Sequence, residues 1–397
     1  MQYTPEHQSL FDTTKRYVEE QINPHTAAWE KDGLWPAHQV LKGMGDLGLL
    51  GIAKPEEVGG LGLDYSYQIA FAEALGHCNV GGIPMAIGVQ TDMCTPALAR
   101  YGNDHLKENF LKPSIAGDLV GAIGVSEPGA GSDVAGIKTT AVKDGGDYVI
   151  NGNKMWITNG TQADWVCLLC NTGDQSIAGA ASGTREGGGK HGNKSLIVVP
   201  LDAKGVDRKT KLDKLGQRSS DTAIMFFDNV RVPAQNLVGA EGRGFIYQME
   251  QFQEERLFLS ASIIVAMEKC VSETAIYTRQ RKAFGGSILD NQVVQFKLAQ
   301  MQTELEGLRA LTYRAVELML KGEDVTLLAS MAKLKAGQLG REVPDACLQY
   351  WGGQGFMWEN YVSQMYRDLR LHAIGGGADE IMLGIISKRL GYGKKKV

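Results

Sequence analysis

The chain has 397 residues, 43% hydrophobic and 22% charged, with a net charge of −4 and a pI near 6.0. That length supports two or three domains with sizeable cores, and the slightly acidic balance excludes the electrostatic footprint of a nucleic-acid or anionic-lipid binder. No run of 18 apolar residues offers a membrane span, and the opening MQYTPEHQSL has the pattern neither of a signal peptide nor of an Arg-rich transit peptide.

In chain order, helical patterns come first. Thr4 is placed to cap a helix with Pro5 at its first position, ending before Asn23-Pro24. Further helical periods are expected around Val40–Leu47, Tyr65–Leu75, Thr95–Tyr101 and His105–Ala116, separated by glycine turns such as Gly59-Gly60-Leu61-Gly62. From Leu119 to about Pro233 the period changes to that of strands, with clear runs at Asp147–Asn151, Ser195–Pro200 and Ile224–Phe227. Cys167 and Cys170 lie in the apolar run WVCLLC; alternation puts their thiols on opposite faces of a strand, which reads as buried structural cysteine rather than a metal or redox pair. Asn171–Lys194 is polar and glycine-rich and reads as an exposed, mobile loop without assigned chemistry. Long helical periods return at Phe245–Arg279, Gln292–Leu320, Leu327–Trp351 and about Ala378–Leu390, as in a four-helix bundle. The expected fold is α+β: an N-terminal helical domain (1–118), a middle β-barrel or sandwich domain (119–235) and a C-terminal four-helix bundle (236–397).

Four local motifs stand on this frame. GVSEPGAGSD (Gly124–Asp133) is a glycine-shaped loop offering backbone N–H groups and the Ser126 hydroxyl. NKMWITNG (Asn153–Gly160) sets the Trp156 indole and the Thr158 hydroxyl two residues apart, on one face of a strand. RQRKAFG (Arg279–Gly285) carries Arg281, a guanidinium suited to phosphate. QYWGGQGF (Gln349–Phe356) offers the bare backbone of Gly352 and Gly353. All four in this order, over an α–β–α alternation, resemble the acyl-CoA dehydrogenase family across essentially the whole chain.

The resemblance implies FAD as cofactor. It assigns the flavin ring to Val125, Ser126, Trp156 and Thr158, with Ile123, Gly131 and Ile157 beside them. Arg281, Phe284, Gln292, Gln349, Gly352 and Gly353 are implied to reach the FAD of a neighbouring subunit, in an oligomer that is usually a tetramer, and Ala378 and Glu380 are further cofactor candidates. Ser132 would lie near both FAD and the CoA part of the substrate, with Ser220 a weaker CoA candidate. The implied partner is electron-transferring flavoprotein. The implied location is the cytoplasm for a bacterial protein, or the mitochondrial matrix for a processed eukaryotic one.

The family's reaction is α,β-dehydrogenation of an acyl-CoA thioester: a carboxylate takes the α-proton and the β-hydrogen leaves as hydride. In HAIGGGADEIM (His372–Met382), Gly376 stands where most members carry that carboxylate. Glycine keeps its N–H, so the implied oxyanion donor survives and only the proton acceptor is lost. The long-chain and isovaleryl-type branches carry the glutamate on the first long helix of the C-terminal domain instead, and the matching segment QFQEERLFL offers Glu254 and Glu255. Phe245, Met249, Phe252, Leu259 and Ile263 define one apolar stripe. At about 100° per residue, Glu255 lies roughly 60° from Phe252 and Glu254 about 160° away, so Glu255 is the expected base, against the alternative that it forms a structural salt bridge with a nearby arginine. Phe252, Arg256 and Gly377 are the remaining substrate-contact candidates. Space opened at residue 376 points to a branched or medium-to-long acyl chain, citronellyl-CoA being one such, with Met85, Ile87 and Val89 in its apolar wall. The rival readings are a flavin oxidase on the same fold and a catalytically silent acyl-CoA or FAD binder.

Overall fold

The computed structural model of the chain describes residues 1–172 and 192–392. Most of the glycine-rich stretch read as a loop, and the lysines at 394–396, lie outside the described residues. The first helices are α1 (Pro5–Tyr17), α2 (Thr26–Asp32), α3 (Ala37–Asp46), α4 (Tyr65–Leu75), α5 (Gly82–Gly88), α6 (Pro96–Tyr101), α7 (Asp104–Leu106) and α8 (Lys112–Ile115). Thr4 caps α1 through a reciprocal bond pair with His7, and Asp64 caps α4 through the Ser66 N–H. One π-helical turn, Val89–Cys94, joins the short helices α5 and α6.

Seven strands follow: β1 (Gly121–Gly124), β2 (Thr140–Asp144), β3 (Asp147–Thr158), β4 (Trp165–Thr172), β5 (Lys194–Pro200), β6 (Val206–Lys211) and β7 (Thr222–Pro233). β4 is central: β1 and then β2 run parallel along one edge, and β5 pairs antiparallel along the other. β3 pairs antiparallel with β2 and β7, and β7 with β6. Every residue of β4 is buried, because both faces are covered. Trp165, Cys167 and Leu169 pack with Leu98, Leu106 and Leu111, while Val166, Leu168 and Cys170 join the core of Phe71, Leu75 and Ile87. The two cysteines thus face opposite ways, as alternation requires.

The helical C-terminal region contains α9 (Gly244–Ala261), α10 (Ile264–Gln280), the two-stranded hairpin of β8 (Lys282–Ala283) and β9 (Gly286–Ser287), α11 (Gln292–Leu320), α12 (Thr326–Trp351), α13 (Tyr361–Leu369) and α14 (Asp379–Arg389). The single helix expected over Phe245–Arg279 is in fact two, broken at Ser262-Ile263. Gly76, just past α4, presses against the break: a Cβ there would lie 3.0 Å from the Ser262 carbonyl oxygen and 2.9 Å from Val265 Cβ. Helix α13, capped by Asn360, is an element the sequence periods did not reveal. The apolar stripe of α9 also differs from expectation. Phe245, Met249 and Phe252 are only half-buried, whereas Gln248 and Gln251 are buried and Glu254–Ala261 are buried on every side. The apolar row of the first half is therefore only partly covered, and the second half is a core helix.

Candidate active site

Two of the sequence motifs are stapled together. The Met155 N–H donates to the Ser126 carbonyl at 3.0 Å, and buried Lys154 donates to the Val125 carbonyl and to Glu127, both at 2.9 Å. Glu127 also accepts from the Lys138 N–H (2.6 Å), the Thr139 N–H (2.9 Å) and the Thr139 hydroxyl (2.6 Å). Burial pushes the Glu127 carboxyl up, but Lys154 and these donors outweigh it and hold it below the usual range. Removing one member of such a buried pair costs about 3–5 kcal/mol, so the pair fixes the loop on the strand.

On that support β3 departs from a plain strand. Its register against β7 shifts between Lys154 and Ile157, and Trp156 adopts φ +62°, a conformation disfavoured for a bulky side chain. The bulge leaves the indole 52% exposed, with a Cβ on Gly131 only 4.0 Å from its Cζ3. The exposed Trp156 and the half-buried Thr158 thus sit at a bulge, not in the simple pleat the sequence suggested. Val125, Ser126 and Ser132 lie on the adjoining loop, the last exposed. An exposed ring on a rigid ledge beside side-chain-free backbone fits a flat aromatic group such as a flavin.

Two candidates turn inward instead. Ile157 is buried in the core, so only its backbone is open to a ligand. Ser220 is buried, its hydroxyl donating to the Gln217 carbonyl at 3.1 Å and lying 3.1 Å from Lys214 Nζ, which commits it to local structure. Ile123, on β1, is half-buried against both cores. Ile87 and Val89 are core residues, while Met85 is half-buried. Arg281, Phe284, Gln292, Gln349, Gly352, Gly353 and Glu380 are exposed, and Ala378 is the half-buried N-cap of α14. Phe284 has φ +51° and is fully exposed at 109%.

The carboxylates resolve into different roles. Glu254, which the helical angle set about 160° from Phe252, is not exposed there. It is buried against α6 and paired with Arg100, and its backbone carbonyl accepts from Tyr65 at 2.8 Å. Glu255, also buried, has no ion pair within 4.0 Å among the described residues, so the structural salt bridge weighed against catalysis is absent there. Burial pushes its carboxyl up to about 7; Arg256 and Lys333 pull it down, and Asp92 adds to the rise. The Arg256 guanidinium lies 5.9 Å from the Phe252 ring centre.

The Gly376 turn lies against this carboxyl. A Cβ built on Gly376 would lie 3.2 Å from Glu255 Oε1, 3.8 Å from Lys333 Cε and in collision with Leu259 Cδ1. Gly376 and Gly377 have φ +65° and +97°, conformations that glycine alone adopts readily. Lys333 Nζ donates to the Gly377 carbonyl. Among the described residues no backbone acceptor takes the Gly376 N–H. Lys333 and Asp92 are parts of this site that the sequence reading did not find. The available signal for Lys333 was a lysine set between Ala329 and Gly337, four residues to either side, on a helix face of small residues.

An unpaired buried carboxyl poised near neutrality, opposite a glycine turn, is an arrangement suited to removing a weakly acidic proton. Comparison with known proteins decides the family. Sequence profiles described as the acyl-CoA dehydrogenase N-terminal, middle and C-terminal domains match residues 4–118, 122–230 and 242–391. A mitochondrial long-chain specific acyl-CoA dehydrogenase from Sus scrofa is 36% identical over 394 residues, 99% of this chain and 88% of that one. The chain belongs to the acyl-CoA dehydrogenase family. It is an FAD oxidoreductase acting on CH–CH bonds of acyl-CoA. A mitochondrial isovaleryl-CoA dehydrogenase from Oryza sativa subsp. japonica is 35% identical, covering 96% of this chain and 92% of that one. The crystal structure of a probable acyl-CoA dehydrogenase from Mycobacterium abscessus superposes with a TM-score of 0.91 at 37% identity, covering 98% of this chain and 99% of that one.

Proposed function

We propose that this acyl-CoA dehydrogenase uses Glu255 as its base and acts on a branched or medium-to-long acyl chain, citronellyl-CoA being one candidate. The observation that carries the reading is the Glu255 oxygen 3.2 Å from where a residue-376 side chain would begin: the acceptor group is beside the turn that lacks one. Glu255 removes the α-proton of the thioester, and its elevated pKa suits proton transfer near neutral pH. The Gly376 N–H donates to the thioester oxygen as charge develops there. Arg256 and Lys333 favour the ionised form of Glu255 that accepts the proton. Bound FAD supplies the acceptor for the β-hydride.

The space expected at residue 376 is filled by Leu259 and the Glu255 oxygen, so the preference for a branched or longer chain rests on the resemblance and on the only partly covered apolar row of Phe245, Met249 and Phe252 on α9. The names of two relatives, long-chain specific and isovaleryl-CoA dehydrogenase, are consistent with either. By resemblance we assign electron-transferring flavoprotein as the electron acceptor and a homotetramer as the working form, with Arg281, Phe284, Gln349, Gly352 and Gly353 turned to a neighbour's FAD. A panel of straight and branched acyl-CoAs with a dye acceptor, run on wild type and Glu255→Gln, tests the reading. Turnover of at least one class is expected in wild type alone, and equal turnover in the variant would remove Glu255 from its role. Slow reoxidation of the reduced enzyme in air separates a dehydrogenase from an oxidase.

A further inference from the structure

The turn from Gly375 to Ala378 has little of its own to hold it. Its neighbouring backbone bonds, Gly375 N–H to Leu371 and Ile381 N–H to Ala378, lie on either side of Gly376 and Gly377, and those two glycines are intrinsically permissive. A group that must meet a reacting oxygen needs to be fixed within a fraction of an ångström. What fixes it comes from another helix. Helix α12 is pressed against the turn at Gly337, where a Cβ would lie 3.1 Å from both the His372 carbonyl oxygen and the Ala373 Cα, and 2.5 Å from Asp379 Oδ1. One turn earlier on the same face stands Lys333, 1% exposed. Its ammonium donates to the Gly377 carbonyl, and its stem passes 3.8 Å from the Cβ position of Gly376.

A buried lysine is costly, and a hydrogen bond to a carbonyl alone does not require a charge. We propose that Lys333 is a positioning residue for the reaction: one ammonium ties the Gly376–Gly377 turn to α12 and faces the Glu255 carboxyl, aligning the N–H donor and the proton acceptor across the substrate. The proposal rests on Glu255 being the base. The charged groups around that carboxyl come from several elements: Arg256 beside it on α9, Lys333 on α12 and Asp92 in the π-helical turn, with Asp379 on α14 acting on Lys333 from behind. Asp92 is held by Tyr65 (2.9 Å), Gln68 (2.7 Å) and Thr91 (2.6 Å), so among these groups Lys333 alone touches both the turn and the surroundings of the base.

The test uses FAD-loaded full-length enzyme and 3-thiaoctanoyl-CoA, whose sulfur replaces the β-carbon so that the α-proton can exchange but no hydride can leave. Deuterium uptake at the α-carbon is followed against pH for wild type, Glu255→Gln, Lys333→Met and Lys333→Gln. Wild type exchanging no faster than Glu255→Gln would overturn the assignment of the base, whatever Lys333 does. Given fast wild-type exchange, Lys333→Met is expected to slow it about 10- to 100-fold and to move the acid limb of the profile to higher pH, because a cation favouring the carboxylate is gone. Lys333→Gln keeps a donor for the Gly377 carbonyl without the charge; it should recover much of the rate while keeping the shifted limb. Wild-type limbs in both variants would overturn the proposal. If neither variant retains FAD and a wild-type melting temperature, the lysine is a structural post and the proposal also falls.

Discussion

The surroundings of Glu255 and the rim that carries Arg281, Phe284, Gly352 and Gly353 differ in one respect: the first are buried and the second is open. Among the described residues, Arg256, Lys333 and Asp92 act on the Glu255 carboxyl, and all three are buried. At the rim, Phe284 is fully exposed in a left-handed conformation, Phe356 is 81% exposed, and nothing lies within 4 Å of a Cβ on Gly352 or Gly353. In the proposed tetramer these are the groups that a neighbouring subunit and its FAD would cover. In the proposed enzyme, proton transfer is therefore set by intrachain packing, and cofactor retention by assembly.

Substitutions in the pocket should change the chemistry without releasing the cofactor. Glu255→Gln is expected to lower kcat by about 10³–10⁴-fold, with the flavin absorbance of the loaded enzyme unchanged; flavin loss in this variant would blur the comparison. In wild type the same group gives kcat a rising limb centred on about pH 7, since the base works only when deprotonated. Gly376→Glu is expected not to restore a second base but to lower kcat about 100-fold, because the new Cβ meets Leu259 and the Glu255 oxygen at φ +65°; its melting temperature should fall by the equivalent of about 2–3 kcal/mol. Rim substitutions should do the reverse. Phe284→Ala and Arg281→Ala are expected to weaken FAD retention about 10-fold, an effect of about 1.4 kcal/mol, more strongly at low protein concentration, while leaving kcat of the loaded enzyme near wild type. Gel filtration with flavin absorbance checks this.

The smallest effect is on stability. A buried carboxyl with a raised pKa binds its proton in the folded state at pH values where the unfolded chain has released it. Its cost is thus fully present above about pH 7 and fades as pH falls towards the unfolded value. Glu255→Gln should therefore melt a few degrees higher than wild type at pH 8, by about 2 kcal/mol, and the gap should close by pH 5.

Local signals in the sequence carried much of this. The Thr4-Pro5 start, the Tyr65–Leu75 helix and the facing of Cys167 and Cys170 depend on neighbours a few residues away, and they appear in the structure as read. The resemblance marked the turn at 376 and the pair Glu254-Glu255, and the helical angle chose Glu255, the one that lies beside Gly376. What could not be read depends on distant contacts. The bulge at Trp156 is decided by pairing with β7, the break at Ser262 by Gly76, and the burial of Glu254 by Arg100. The apolar row of α9 misled most, because a partly covered apolar face has the same period as one packed in a core.

All six cysteines are free and buried, and they are spread through the three layers of the molecule: Cys78 and Cys94 among the first helices, Cys167 and Cys170 on the two sides of β4, Cys270 and Cys347 in the final bundle. Burial raises each thiol away from its reactive form. The folded protein should therefore resist alkylation, and each sulfur would be labelled only when its own layer opens. Peptide-resolved labelling rates thus turn the chain into a set of six internal clocks, reporting which layer comes apart first.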